Sequence, residues 1–284
     1  MRARWGCRTA DTRLLALGAL AAALAGSATA TAAPAGVHFA VKGDWGAGTN
    51  AQAAVTRRMC AVNRRAPFAF VLTTGDNFYS PDGVATPGNF STPEACLLRA
   101  GVRWRAAWGN HDLGGDGTAT ALASPARRYR FAQEPLLVVV LDGNNPADPA
   151  QRRFLENSLR ASRRPVRIVV FHQPAFTAGL HAPGEQQQLR WVPLLRRYRV
   201  SLVLQGHNHA YERIVRDGVT YITTGGGGAD LYPCVRPTRG LRRCVMTHHF
   251  LDVVAVPGGL RVRAIAADGT TIERLRLPAR PVTS

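Results

Sequence analysis

The chain has 284 residues, 46% of them hydrophobic and 19% charged, with a formal net charge of +18. That is enough apolar material for one large α/β domain or two small ones, and it excludes a disordered or low-complexity chain. Arginine supplies nearly all the basic charge, Lys42 being the only lysine, and no basic run is interleaved with the aromatics on which nucleic-acid bases stack.

Residues 1–32 have the form of an export signal. Arg2, Arg4, Arg8 and Arg13 precede an apolar stretch from Leu14 to Ala25, and Ala28-Thr29-Ala30 and Ala30-Thr31-Ala32 both have the small-x-small cleavage pattern. A membrane anchor would need roughly 20 apolar residues, and this run is shorter. A mature protein with no membrane span, secreted or periplasmic, is therefore expected. Removing the segment takes four arginines and one aspartate, so the remainder stays strongly basic. It also leaves Cys60, Cys96, Cys234 and Cys244, an even set that in an exported chain favours disulfides. Three pairings are open; Cys60–Cys96 and the short loop closure Cys234–Cys244 are favoured.

Apolar runs rich in β-branched residues recur at Val37–Val41, Phe68–Leu72, Trp104–Trp108, Leu136–Leu141, Val166–Phe171 and Val200–Leu204. Further runs follow at Val219–Thr223, Phe250–Val256 and Leu260–Ala266. Helical patterns lie between them. One follows Thr49, a candidate N-cap, with Val55, Met59 and Val62 at helical spacing; a second opens at Asp148-Pro149; a third covers Gln186 to Tyr198. This alternation predicts an α/β sandwich. The strand-rich last third predicts a second sheet that joins by antiparallel hairpins. No Pro-, Gly- or Ser-rich linker interrupts the chain, so a single domain over 36–277 with a loose tail at 278–284 is the economical division.

Five short motifs each follow an apolar run and end in side chains of the metal-ligating type. They are Gly43-Asp44-Trp45-Gly46, Gly75-Asp76-Asn77-Phe78-Tyr79, Gly109-Asn110-His111-Asp112, Val169-Val170-Phe171-His172 and Gly206-His207-Asn208-His209. Asp44 to Asp76, Asp76 to Asn110 and His172 to His207 are each about 32 to 35 residues apart. A βαβ unit takes about that length, so each motif falls after a strand at one end of a sheet, where α/β folds place their sites. Taken singly, Asp44 or Asp76 would read as a turn or N-cap residue. Five together supply aspartates, a tyrosine, an asparagine and histidines enough for two cations, a set suited to in-line displacement at phosphorus. His38, His248 and His249 lack such a context and read as structural or exposed. Trp45 and Tyr232 are candidates for shaping the pocket, and Gly225 to Gly228 reads as a turn. Glu212 and Asp230 have no evident role.

In this order, over about Val37 to Thr224, the motifs resemble the calcineurin-like metallophosphoesterases and, more narrowly, the purple acid phosphatases. The first motif departs from the broad pattern Asp-x-His, since Gly46 stands in place of the histidine. Tyr79, three residues after Asp76, resembles the tyrosine by which purple acid phosphatases ligate ferric iron. The run His207-Asn208-His209-Ala210-Tyr211-Glu212-Arg213 is similar to that family too. The resemblance implies a four-layer α/β/β/α sandwich of two mixed β-sheets flanked by helices. It implies Fe(III) held by Asp44, Asp76, Tyr79 and His209, and a divalent ion (iron, zinc or manganese) held by Asp76, Asn110, His172 and His207. His111 would face the substrate phosphate or protonate the leaving group, and His181, in a loop whose length varies, resembles the family's second substrate-side histidine. The implied reaction is hydrolysis of phosphate monoesters on small phosphorylated substrates, by attack of a metal-bound hydroxide at phosphorus, in a monomer of the compact single-domain form. A phosphodiesterase or nuclease of the same superfamily is the alternative. A non-catalytic scavenger that keeps the fold is a third reading, against which all seven ligand positions stand filled.

Overall fold

Two β-sheets lie face to face in the computed structural model, which describes residues 36–280. The first sheet has the order β13-β12-β11-β1-β2-β3, with β1 Val37–Lys42, β2 Phe70–Thr73, β3 Arg103–Ala106, β11 His249–Val256, β12 Gly259–Ala266 and β13 Thr271–Pro278. The second runs β10-β8-β9-β7-β6-β5-β4, with β4 Tyr129–Gln133, β5 Leu136–Val140, β6 Val166–Val170, β7 Leu202–Gln205, β8 Tyr211–Arg216, β9 Val219–Thr224 and β10 Leu241–Val245. Strands β1, β2 and β3 pair in parallel, as do β5, β6, β7 and β9, while the outer strands pair antiparallel. Both sheets are therefore mixed.

Sequence explains the layering. Parallel strands covered on both faces read as unbroken apolar runs, and all five residues of β5 (LLVVV) and of β6 (VRIVV) are buried. Their side chains alternate between two cores. Val138, Val140, Ile168 and Val170 point between the sheets, where they meet Phe39, Val41 and Leu72 of the first sheet. Val139 and Val169 point outward onto α4 (Pro149–Arg160) and α6 (Val192–Arg197), meeting Leu155, Leu159 and Leu195. On the far side, α1 (Asn50–Arg65) lays Val55 and Met59 against Ala40 and Val71. Each such side chain buried in full contributes about 1.5–3 kcal/mol. The result is the four-layer α/β/β/α sandwich.

Helix starts follow the sequence signals. The Thr49 side chain accepts from the Gln52 amide, and Asp148 accepts from Ala150 ahead of Pro149. The third helical pattern is broken in two, α5 Glu185–Arg190 and α6, because Pro193 lacks an amide hydrogen and restarts the helix as one of its first residues.

Other expectations need correcting. The late strands divide between the sheets: β8, β9 and β10 pair antiparallel within the second, as expected, whereas the last three do not. β11 pairs antiparallel with β1, so β11, β12 and β13 extend the first sheet by hairpins. The second sheet starts at β4, whose half-exposed edge sequence YRFAQ is too weakly apolar to stand out. Pro278, expected to open a loose tail, pairs with Gly259, and the Ala279 and Arg280 amides donate to Gly258 O and Pro165 O. Two disulfides form, Cys60–Cys96 and Cys234–Cys244, the favoured pairs. The export segment 1–32 and residues 281–284 lie outside the described residues. Among the described residues no helix is long and apolar enough to cross a membrane.

Candidate metal centre

All five motifs leave the carboxyl ends of parallel strands. Asp44 and Asp76 follow β1 and β2, Asn110 and His111 follow β3, and His172 and the pair His207/His209 follow β6 and β7. The two sheets thus present their functional turns to one another along a single end. The turns are held in uncommon backbone conformations. Among the described residues six non-glycine positions have positive φ, and three are Asp44 (55°), Asp76 (49°) and His207 (69°). Such conformations cost about 1–3 kcal/mol each and cluster where surrounding structure over-determines them. Gly75, at φ 100°, shows why its position excludes a side chain: a Cβ there would lie 2.6 Å from His172 Nδ1.

The side chains converge. Tyr79 Oη lies 2.9 Å from His209 Nε2 and 3.3 Å from Asp76 Oδ2. His172 Nε2 lies 3.2 Å from both Asp76 Oδ2 and Asn110 Oδ1. His209 Nε2 is 3.4 Å from Asp44 Oδ1, and the His207 ring is centred 5.1 Å from that of His172. Two overlapping groups result, Asp44/Asp76/His209 and Asp76/His172/His207. Within each, ligand atoms lie within 4.8 Å of one another, and Asp76 is common to both. His111 stands with its ring 4.4 Å from Tyr79, and His181 with its ring 4.3 Å from His207. All nine residues singled out in the sequence therefore meet at one end of the sandwich, His111 on one side of the cluster and His181 on another.

Electrostatics bear on what fits there. Asp44, Asp76 and His172 are fully buried or nearly so, and a buried carboxylate needs compensating charge. Burial raises the Asp44 carboxyl above the ordinary carboxylate range despite its neighbouring imidazoles. Asp76 goes the other way: burial opposes ionisation, but His172 and the His111 amide hold it well below that range. His172 rises to about 9 against its own burial, because Asp76 favours the imidazolium. His207 falls to about 3, pushed down by burial and then by His172 and His181. Tyr79 is held strongly protonated by burial and by Asp44 and Asp76. Asp44 Oδ2 is buried with no hydrogen-bond partner, an orphaned acceptor that costs about 1–3 kcal/mol. Hard oxygen donors, neutral imidazole and one orphaned carboxylate oxygen fit two cations sharing Asp76.

Several supporting residues escaped the sequence reading. His172 Nδ1 donates to Thr74 O at 2.9 Å and His209 Nδ1 donates to Asp230 O, which turns each Nε2 toward the cluster. Asp230 acts through its backbone, which no sequence pattern reveals. Asp112 is buried and accepts from the amides of Asn77 (2.9 Å), Phe78 (3.3 Å) and Gly109 (2.7 Å), from Asn77 Nδ2 (2.9 Å) and from Thr118 Oγ1 (2.9 Å). It ties the turns after β2 and β3 into one unit. Glu212, also buried, accepts from Thr177 Oγ1 at 2.8 Å and from the Ala178 amide at 2.6 Å, anchoring the loop that carries His181. Asn208 closes that loop by accepting from the His181 amide at 2.8 Å. Of the two aromatics expected to shape the pocket, Trp45 does not. It is fully buried, stacked on Trp104 and near Phe78, because its indole faces the helix side of the first sheet. Tyr232 stacks on His209 at 4.0 Å and faces His181 at 5.2 Å. Gly225 approaches Asp44 closely, so a Cβ there would stand 3.0 Å from Oδ2.

Sandwich, shared carboxylate and converging strand-end turns define a metal-dependent phosphoesterase site, and the calcineurin-like phosphoesterase profile matches residues 37–211. The chain belongs to that family of metallophosphoesterase hydrolases, whose activity depends on a binuclear metal centre. Within it, the relatives are purple acid phosphatases. Purple acid phosphatase 17 of Arabidopsis thaliana is 27% identical over 67% of this chain and 68% of its own length. Tartrate-resistant acid phosphatase type 5 of Mus musculus is 26% identical over 86% of this chain and 91% of its own. Among solved structures, GAP50, the anchor in the inner membrane complex of Plasmodium, superposes with a TM-score of 0.73 at 18% identity, covering 87% of this chain and 90% of that one. Purple acid phosphatase PPD1 of yellow lupin gives 0.66 at 15% identity over 86% and 54%. These structural likenesses show the fold.

Proposed function

We propose that the protein is an exported phosphomonoesterase of purple acid phosphatase type. The observation that carries this reading is the pair of overlapping donor groups sharing Asp76. In it, Asp44, Asp76, Tyr79 and His209 hold one cation, Fe(III), and Asp76, Asn110, His172 and His207 hold a divalent one. When bound, such a pair supplies Lewis-acid charge for the phosphoryl oxygens and the attacking water. The rest of the work falls to the chain. Thr74 and Asp230 carbonyls fix the imidazole orientations, and Asp112 fixes the turn carrying Asn110 and His111. His111 and His181, on different sides of the cluster, hold the phosphoryl group between them. As the bond from phosphorus to the ester oxygen breaks and a new one to the water oxygen forms, an imidazole proton passes to the departing alkoxide. Export is supported by the leader-like first 32 residues and by two disulfides, which persist in oxidising compartments.

The test is a substrate panel. Purified, metal-supplemented protein is expected to turn over 4-nitrophenyl phosphate faster than bis(4-nitrophenyl) phosphate or DNA. A preference for the diester would move the protein to the phosphodiesterase branch. Lack of turnover on either ester, with metal bound, would favour a scavenger.

A further inference from the structure

Of the 36 lysines and arginines in the chain only Lys42 is a lysine, and it is fully buried. A buried charge is costly unless it is paired and hydrogen-bonded. Lys42 Nζ donates to Glu94 Oε1 at 2.5 Å and to Thr56 Oγ1 at 2.9 Å, and it stands 4.6 Å from the centre of the Trp45 ring. Two oxygens and a ring face match the three N–H directions of an ammonium, whereas the five-donor fork of an arginine would leave donors unmet. Glu94, equally buried, also accepts from Thr56 Oγ1 at 2.8 Å and from Gln52 Nε2 at 3.1 Å. Gln52, Thr56 and Cys60 lie four apart along one face of α1, and the Cys60–Cys96 bridge ties the same helix to the segment of Glu94. The cluster leads into the candidate centre. Lys42 ends β1 two residues before Asp44, and Trp45 follows Asp44 directly. Trp45 Nε1 donates to Asn77 Oδ1 at 3.2 Å, beside Asp76. The Asp44 and Trp45 amides donate to Gly75 O and Asp76 O at 3.0 and 3.1 Å. The turn that holds Asp44 at φ 55° is thus closed by contact between the side chains at its two ends.

We propose that Lys42, paired with Glu94 and seated on Trp45, is a positioning residue for Asp44, holding its strained turn in the orientation that presents the carboxylate to a cation. The inference rests on the reading of Asp44 as a metal ligand. Stability alone does not explain the pair. Replacing a buried ion pair by neutral side chains of similar volume is often harmless, whereas removing one partner strands the other. Val55, Met59, Phe78 and Phe90 line the same core, so an apolar side chain at position 42 would find company there. It would not find directional partners. Ammonium, carboxylate and indole N–H each fix an angle as well as a distance, and together they join β1, α1 and the turn of Asp76. Asp44 belongs to the donor group Asp44/Asp76/His209 and not to Asp76/His172/His207, so loss of the clamp weakens the first group more than the second.

The test compares full-length wild type with Lys42→Met and with the double variant Lys42→Met, Glu94→Gln, which removes both charges yet keeps an acceptor for Gln52 and Thr56. Lys42→Met alone is expected to lower the thermal midpoint by about 10 °C, because it strands the carboxylate, and the double variant to return to within about 3 °C of wild type. Metal affinity is expected not to return with it. Fe(III), titrated against a competing chelator, should bind the double variant about tenfold more weakly than wild type or worse, and Zn(II) added to the iron-loaded protein should lose a clearly smaller factor. Wild-type iron affinity in the double variant, or equal losses for both ions, would overturn the inference. Should the double variant not fold, Trp45→Phe decides. It keeps the charges paired but withdraws the N–H from Asn77, and the same iron-selective loss upholds the clamp while unchanged affinity refutes it. A wild type that binds neither ion sinks the ligand reading by itself. Hydrogen exchange then settles the clamp in whichever variant folds: faster exchange at the Asp44 and Trp45 amides with β6 unchanged upholds it, and unaltered exchange refutes it.

Discussion

The buried centre and the exposed loops around it are built on opposite terms. At the centre Asp44, Asp76, His172 and His209 are each held more than once. His172 is fixed by Thr74 O on one nitrogen and meets Asp76 and Asn110 with the other. Asp76 accepts from the His111 amide at 2.9 Å while lying between Tyr79 and His172. On the surrounding loops Leu113, Leu180 and Val235 are exposed, and it is the backbone beneath them that is tied down, by the Leu113 amide on Asn110 O, Arg236 on Leu180 O and the Val235 amide on Ala178 O. The contrast separates tasks. Chemistry that tolerates little displacement sits on strand ends between two cores, whereas exposed loop side chains tolerate change.

The comparison breaks down if the centre tolerates change as the exposed loops do. Replacing His207 with Ala removes a donor whose loss nothing nearby compensates; activity is expected to fall about 10³-fold or more, since metal-supplied stabilisation amounts to several kcal/mol. Steady-state kinetics with metal analysis on the same sample checks this, and near-normal turnover would contradict the ligand assignment.

Asp112 sharpens the point, because it touches no substrate. Asp112→Ala strands buried donors of Asn77, Gly109 and Thr118, and a loss of about 3 kcal/mol is expected. The thermal midpoint should drop by about 6–12 °C. A midpoint within a degree of wild type would show that the turns after β2 and β3 do not depend on it.

Tyr79→Phe changes less. It removes one hydroxyl while keeping the ring beside His111, and it is expected to abolish visible absorption from a tyrosinate–iron contact with little change in midpoint. An iron-loaded wild type without colour would exclude Tyr79 as a ligand. Smallest of all is Leu180→Ser, where stability should move by no more than about 0.5 kcal/mol, read by urea unfolding. A larger loss would mean that Leu180 is part of the packing after all.

Much of this was legible in the chain. Asp44, Asp76, Asn110, His172 and His207 stand out because each follows a strand-like, largely apolar run, and five such runs that each lead into a ligand-type side chain do not read as ordinary turns. The strands that escaped, β4, β8, β10 and β13, are edge or near-edge strands with polar faces. In β8, Tyr211-Glu212-Arg213 looks like a motif tail, although Tyr211 and Arg213 both bond Glu273 of β13 and so tie the two sheets together. Sheet membership of β11 to β13 was illegible for another reason: hairpins declare their own pairing, not which edge they will join. Backbone acceptors such as Thr74 O and Asp230 O leave no trace in side-chain identity. Trp45 misled because a Gly-Asp-Trp-Gly turn brings its tryptophan near the site in sequence, while the positive φ of Asp44 sends the indole into the helix-side core.

Elemental analysis of the purified protein tests the central claim most directly. The account predicts about two equivalents of metal per chain, iron among them, and loss of the divalent equivalent in His207→Ala. Protein that binds no metal after incubation with iron, zinc and manganese would contradict it.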